Sequence, residues 1–332
     1  MTTRAKVLLL GNGIARTYYK GANWDKVLDE IRDKKSYPMP SNYYKIPMPL
    51  KADMFAKNNL DQFLELLNID LPHDKEHNFF PQLLNLDFDY ILTTNYTYEA
   101  ECALLNAPEI EISRINRAHY LIGNTYFNNT QEYSDNETEQ HRAEIDRIQE
   151  FKNLISTYND IENKKIWHIH GEAAYPHSMV LGYSAYAKLL HSYIKHIDHI
   201  DPLEINNHGE ETWLDKFLEG DVYILGFGMD FSEIDLWWLL QYKHKRNKAT
   251  ATYFFNPQPY YPDDSALQQY IHGTSEWCKL KMLGTCGVKI IDIKFNNILD
   301  DGSKSYKKFY DKALAKIQKY VPKRNSDNCE SN

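Results

Sequence analysis

The stretch Phe88-Asp89-Tyr90-Ile91-Leu92-Thr93-Thr94-Asn95-Tyr96 passes abruptly from an apolar run to polar residues. The run reads as a buried strand, and the polar residues mark where it ends. In open α/β sheets, ligands bind at the carboxyl ends of strands, so Thr94 and Asn95 stand at a candidate ligand edge. Two further runs end in the same way. Lys6-Val7-Leu8-Leu9-Leu10 leads into Gly11-Asn12-Gly13, and Lys165-Ile166-Trp167-His168-Ile169-His170 leads into Gly171-Glu172. A glycine loop, an amide and an imidazole are thereby delivered to one sheet edge, which poses a nucleotide site.

Strand-like runs recur at 6–11, 88–94, 164–170, 178–182, 221–227, 251–256 and 287–295. Helical patterns lie between them. Asn23 caps an apolar-periodic run to Ile31, Asn59–Leu67 repeats Leu60, Phe63, Leu64 and Leu67, and Ser303–Val321 is a basic amphipathic helix. Alternating strands and helices predict an α/β fold, a Rossmann-like, doubly wound and mainly parallel sheet. Residues 32–57 carry Pro38, Pro40, Pro47 and Pro49 and read as a long ordered loop. Residues 106–162 hold a polar segment, Asn124–Asn136, and a charged helix, Thr138–Tyr158, and read as a small helical lobe inserted in the sheet domain. One domain over 1–322 is expected, with a disordered polar tail over 323–332.

The 332 residues suffice for a large core, with ordinary hydrophobic (42%) and charged (25%) fractions. Tyrosine is frequent, at 25 copies, and composition offers no reason beyond packing and interfaces. A net charge of −8 weighs against non-specific nucleic-acid binding, which needs a basic surface. Cys102, Cys278, Cys286 and Cys329 form no C-x-x-C pair, so a four-cysteine zinc ribbon is excluded and no zinc is expected. The N-terminus resembles no signal peptide, and no apolar run approaches the roughly 18 residues of a membrane span. A reduced, cytoplasmic setting without membrane or nucleic-acid partners is the expectation.

Most candidate residues carry more than one reading. Gly11, Asn12 and Gly13 would let a pyrophosphate approach the backbone, or form a tight turn. Arg16 stands where the dehydrogenase fingerprint has a third glycine. Asn95 would hold a ribose hydroxyl or a water, or cap a helix starting near Thr97. His168 and His170, two apart on a strand, share a face and read as metal ligand, general base or core residues; His170 stands where a cleft would open. Gly226 and Gly228 end the strand Asp221–Phe227 before a helix over Phe231–Asp235 whose start favours anions. Asn256, before Pro257, ends a strand facing an adenosine ribose or simply turns it. A metal reading of His191, His196 and His199 needs a shared face, which only His196 and His199 have, at i,i+3, and Trp237-Trp238 reads as core or interface.

Taken in order, these pieces resemble the bacterial SIR2-like family, relatives of the sirtuins. The resemblance rests on Gly11-Asn12-Gly13, the tryptophan-led helix from Trp24, Thr93-Thr94-Asn95-Tyr96, His170-Gly171, and Gly226-Phe227-Gly228 followed by Asp235, and covers residues 6 to about 295. It implies NAD as substrate, bound by Gly11, Asn12, Gly13, Arg16, Thr94, Gly226, Gly228, Asp235 and Asn256. It further implies cleavage of the nicotinamide–ribose bond, with Asn95 orienting the ribose and the attacking water and His170 as general base.

The departures from sirtuins shape the expectation. Thr97 stands where sirtuins carry an acid, and the zinc ribbon lobe is replaced by residues 106–162. Water is then a better acceptor than acetyl-lysine. The resemblance therefore implies an NAD⁺ glycohydrolase that depletes NAD as an antiphage effector, restrained by a separate sensor subunit or by homo-oligomerisation. A non-catalytic NAD or ADP-ribose sensor and an NAD-dependent deacylase are the alternatives.

Overall fold

The computed structural model describes residues 4–18, 24–35, 43–67, 79–105, 158–161, 164–173, 175–198, 212–259, 274–296 and 305–321. Seven strands form one sheet: β1 (Lys6–Leu10), β2 (Tyr90–Thr93), β3 (Asn159–Ile161), β4 (Lys164–His168), β5 (Asp221–Leu225), β6 (Thr252–Pro259) and β7 (Val288–Phe295). Their spatial order is β3-β4-β2-β1-β5-β6-β7. Every neighbouring pair is parallel except β3 with β4. With the antiparallel edge strand set aside, the parallel strands in chain order lie as 3-2-1-4-5-6, the arrangement of dinucleotide-binding folds. The winding reverses between β1 and β5, the switch point at whose carboxyl ends ligands bind in open sheets of this kind.

Alternate residues of the strands go to opposite faces. Val7, Leu9, Val222 and Ile224 join a core with α7 (Gly182–Asp198), α8 (Trp213–Glu219), α9 (Ile234–Arg246) and α10 (Ser275–Thr285). Leu8, Leu10, Tyr223 and Leu225 meet α5 (Phe79–Leu84), α6 (Glu99–Leu105) and α11 (Lys307–Ile317), with α1 (Ala15–Tyr18) contributing Ala15. Helices on both faces make the sheet doubly wound, as the alternation of strand and helix predicted.

A third core sits at the carboxyl edge. It joins α2 (Trp24–Lys34), α3 (Met48–Phe55) and α4 (Leu60–Leu67) to Tyr96 and Met179. Trp24 sets its ring edge-on against Tyr96 at 4.9 Å and tilted against Phe63 at 5.3 Å. This helical cap corrects the expectation of a loop over 32–57. Pro47 is the N-cap of α3 and Pro49 lies in its first turn, where the missing N–H has no intrahelical partner to lose. Prolines that break a helix from inside thus start this one.

Two other assignments change. Residues 178–182 form no strand: a 3₁₀ turn spans Pro176–Ser178, and the run joins no ladder, although Val180 N–H donates to His170 O at 2.8 Å. A short apolar run does not distinguish a strand from buried coil. Residues 159–161, assigned to the inserted lobe, are instead the edge strand β3. The rest of that lobe up to residue 157, the helix over 138–158 apart from Tyr158, the tail 323–332, Asn23, Pro38, Pro40, His199 and Ser303 lie outside the described residues.

Candidate active site at the carboxyl edge of the sheet

The two glycine loops meet each other. Gly11 N–H donates to Leu225 O at 3.0 Å and Gly13 N–H to Gly226 O at 2.7 Å. A Cβ on Gly11 or on Gly13 would stand 2.6 Å from Gly226 O, and Gly226 itself has φ +75°. Glycine is required here because two strand-to-helix turns cross at contact distance. Gly11→Ala is expected to cost about 1–3 kcal/mol, the range of an overpacked site, read as a lowered urea midpoint with an unchanged slope. Arg16 lies on α1. Gly228 is open, with nothing within 4 Å of a Cβ placed on it, and its carbonyl accepts from Lys279 Nζ at 2.6 Å.

Asn95 follows β2 and is buried, and its main chain is fixed on both sides. Its N–H donates to Thr93 Oγ1 at 3.1 Å and its carbonyl accepts from His168 Nδ1 at 2.6 Å. It does not cap a helix, because α6 begins only at Glu99. Thr94 N–H donates to Leu10 O at 3.2 Å, which ties the T-T-N-Y turn to the first strand. Asn12, Trp24, Val27, Leu67, Asn95, Tyr96 and Thr97 line one narrow cleft, so the first loop, the cap and the T-T-N-Y turn converge.

The two histidines part company, against the expectation of a shared face. β4 ends at His168, and a turn closed by Gly171 N–H to His168 O at 2.9 Å swings His170 to the other side. Gly171, at φ +90°, would bring a Cβ within 2.2 Å of Ser178 O, so this turn demands glycine. His168 faces α6, where its Nε2 is 2.7 Å from Glu101 Oε1. His170 faces α9, where its Nε2 is 2.8 Å from Asp235 Oδ2.

His170 and Asp235 are both buried, at 3% and 0% exposure. Tyr193 Oη is 3.4 Å from the same Asp235 oxygen, Tyr186 presents its ring edge-on to His170 at 5.5 Å, and Tyr186 Oη donates to Glu233 at 3.0 Å. Burial opposes charging of the His170 ring, but Asp235 and then Glu233 outweigh it and raise its pKa above the ordinary 6.5. Burial also raises Glu233, which His170 partly offsets. With Nε2–H donated to Asp235, the Nδ1 lone pair is the basic one. Ligand atoms of His170, Glu233 and Asp235 lie within 4.8 Å of one another. Asp235 Oδ2 meets His170 and Tyr193 and Glu233 meets Tyr186, while Asp235 Oδ1 is buried without a hydrogen-bond partner among the described residues.

Asp235, expected to contact the cofactor, is hydrogen-bonded to His170. Asn256, expected at a strand end, lies inside a strand. β6 runs on to Pro259, Asn256 pairs in register with Asp292 on β7, and its Nδ2 donates to Asp292 Oδ1 at 2.7 Å. The strand continues through Pro257 while keeping its pairing to β7. His196 pairs with Asp215 at 3.1 Å. Trp237 is buried and its Nε1–H donates to Asp230 O at 2.9 Å, in keeping with a core role. The sequence reading missed Glu101, Glu233, Tyr186 and Tyr193. Acids inside the apolar run Glu99–Leu105 were the available signal for Glu101.

A larger cavity, of about 370 Å³, opens at the opposite edge among Arg4, Lys243, His244 and Lys289. Two of its cations have structural work: Lys243 Nζ donates to the carbonyls of Phe217, Leu218 and Gly220 at the end of α8, and Lys289 lies over the Tyr253 ring. The His170–Asp235 pair and Asn95 lie instead at the carboxyl edge. Among the described residues no helix is long and apolar enough to cross a membrane. No family model matches this sequence, and no curated protein matches it.

Proposed function

We propose that this chain is an NAD⁺ glycohydrolase, releasing nicotinamide and ADP-ribose. The observation that carries the reading is a buried His170–Asp235 dyad and a main-chain-fixed Asn95 on neighbouring strand ends, beside the winding reversal of a 3-2-1-4-5-6 sheet. Thr93 and His168 are register partners, so Asn95 and His170 leave the sheet side by side. Gly11, Asn12, Gly13, Thr94 and Gly226 belong to the turns at that edge, where a dinucleotide lies in folds of this order.

The nicotinamide–ribose bond breaks through an oxocarbenium-like state. Little covalent help is needed from the protein. It must hold the ribose, exclude bulk water and place one water against the anomeric carbon. The Asn95 amide, donor and acceptor at once, suits the ribose hydroxyls and that water. His170 Nδ1 takes the water's proton as the new C–O bond forms, nicotinamide leaves with the electrons of the C–N bond, and Asp235 stabilises the resulting imidazolium.

The tightly held dyad predicts a specific pH dependence. A base works deprotonated, and the protonated form of His170 is favoured, so turnover rises with pH through a midpoint above 6.5. Asp235→Asn removes the main raising influence, so that midpoint is expected to fall, together with a lower plateau rate because the tautomer is no longer fixed. A midpoint unmoved in Asp235→Asn would exclude His170 as the titrating base.

We also propose that hydrolysis is held in check by a separate protein subunit or by self-assembly and serves to deplete NAD during phage infection. A cytoplasmic setting belongs to that proposal. The test is direct: purified chain, with and without the products of its neighbouring genes, is given NAD and assayed for nicotinamide. Binding without nicotinamide in every combination would support a sensor instead, and O-acetyl-ADP-ribose formed from an acetylated peptide would support a deacylase.

A further inference from the structure

We propose that His168 is a positioning residue: it is held as an imidazolium between Glu101 and the Asn95 carbonyl, and this clamp sets the Asn95 amide toward the ligand. The inference rests on the reading of Asn95 as the amide that meets the substrate.

The geometry fixes the protonation state at one end. Nδ1 is 2.6 Å from Asn95 O, and a main-chain carbonyl only accepts, so Nδ1 carries a proton. Nε2 is 2.7 Å from Glu101 Oε1, and a carboxylate likewise accepts. Two acceptors on two nitrogens call for the doubly protonated ring. Glu101 is fully buried, His168 is 4% exposed, and Glu101 Oε1 also accepts from Asn159 Nδ2 at 3.0 Å. The neutral alternative puts the shared proton on Glu101 Oε1, the oxygen that already accepts from Asn159; Glu101 Oε2 has no hydrogen-bond partner among the described residues.

The groups around the ring agree with a cation. Glu101 and Glu99 face it from α6. Glu172, just past β4, holds Tyr98 Oη at 2.9 Å and lies 3.4 Å from Asn159 Nδ2 on β3. The Tyr98 ring packs against the imidazole at 5.3 Å. Burial opposes charging of His168, but Glu101 by charge and hydrogen bond, then Glu172, carry its pKa up to about 9. Burial raises the Glu99 pKa, so the facing counter-charge from α6 is that of Glu101. The clamp acts on the main chain one residue before Tyr96, whose carbonyl is tied to Ala173 N–H at 2.8 Å, so the turn is gripped at successive residues while the Asn95 side chain is left to the cleft.

The test uses the full chain labelled with ¹³C-carbonyl asparagine, ¹⁵N-tyrosine and ring-¹⁵N histidine. The sequence holds two Asn-Tyr pairs, Asn42-Tyr43 and Asn95-Tyr96, so two carbonyl correlations are expected, told apart by an assignment variant. In the wild type both ring nitrogens of His168 are expected to be protonated through neutral pH and to titrate near 9. The Asn95 carbonyl shift should move with the same midpoint while that of Asn42 stays put. In His168→Gln, kcat for NAD cleavage is expected to fall at least about tenfold with KM within about threefold, the pattern of lost positioning. A singly protonated His168 at pH 7 overturns the proposal. So does an Asn95 carbonyl that ignores the titration, or a His168→Gln enzyme with wild-type kcat. If His168→Gln does not fold, the wild-type titration decides. Absence of cleavage by the wild type would overturn the glycohydrolase reading alone, since both resonances are read without turnover.

Discussion

His170→Ala is expected to lower nicotinamide release by about 10²–10⁴-fold, the usual worth of a positioned general base, with the fold intact. The expectation follows from the dyad. The imidazole is buried, oriented through Nε2 by Asp235, and bordered by Tyr186, so the other nitrogen is aimed rather than free to rotate. Asn95→Ala is expected to cost about 10²–10³-fold, like the loss of one pre-organised polar contact to a reacting group. Both effects should appear mainly in kcat, because each residue acts where charge and geometry change during bond cleavage. Folding is checked by thermal unfolding of each variant, which should stay close to wild type for Asn95→Ala, whose main-chain bonds survive the change. If His170→Ala folds and retains more than about a tenth of the wild-type rate, the base lies elsewhere.

Much of this was legible in the chain because it is written in local pattern. Strand ends announce themselves where apolar runs stop at glycine or asparagine, and the order of those ends placed Asn95 and His170 at one edge. What was not legible depended on partners distant in sequence. His168 and His170 look alike by spacing, yet one turn at Gly171 sends them to helices on opposite faces. Asp235 looked like a helix start facing a ligand, and only the crossing of α9 over the end of β4 shows that it meets His170. The glycines at 11 and 13 look made for phosphate. Their tight spacing is explained first by the turn at Gly226, and a ligand role must act through Asn12 and the open side of the loops. The cap was hidden by its prolines, whose effect reverses between the interior and the first turn of a helix.

The buried His168–Glu101 pair yields the largest stability effect. Glu101→Ala leaves a buried imidazolium without its counter-charge and is expected to cost about 3–5 kcal/mol, measured by urea unfolding at pH 7. The sign with pH is fixed by the same pair. The folded pKa of His168 stands at about 9 against 6.5 unfolded. Its contribution, of about 3 kcal/mol, is therefore full below pH 6.5 and is lost as pH rises through 9. Glu101 has its pKa lowered, because His168 and its hydrogen bonds outweigh the opposing effect of burial, so its own contribution is lost only as pH falls through the acid range. Replacing both partners with apolar residues separates the two roles of the clamp. Glu101→Leu combined with His168→Leu removes the uncompensated charge, and such exchanges are often close to neutral, so the double variant should regain most of the stability lost by Glu101→Ala. It has no donor for the Asn95 carbonyl, so its turnover should remain as low as that of His168→Gln. A double variant that recovers both stability and turnover would show that the pair holds the fold together and leaves Asn95 to place itself.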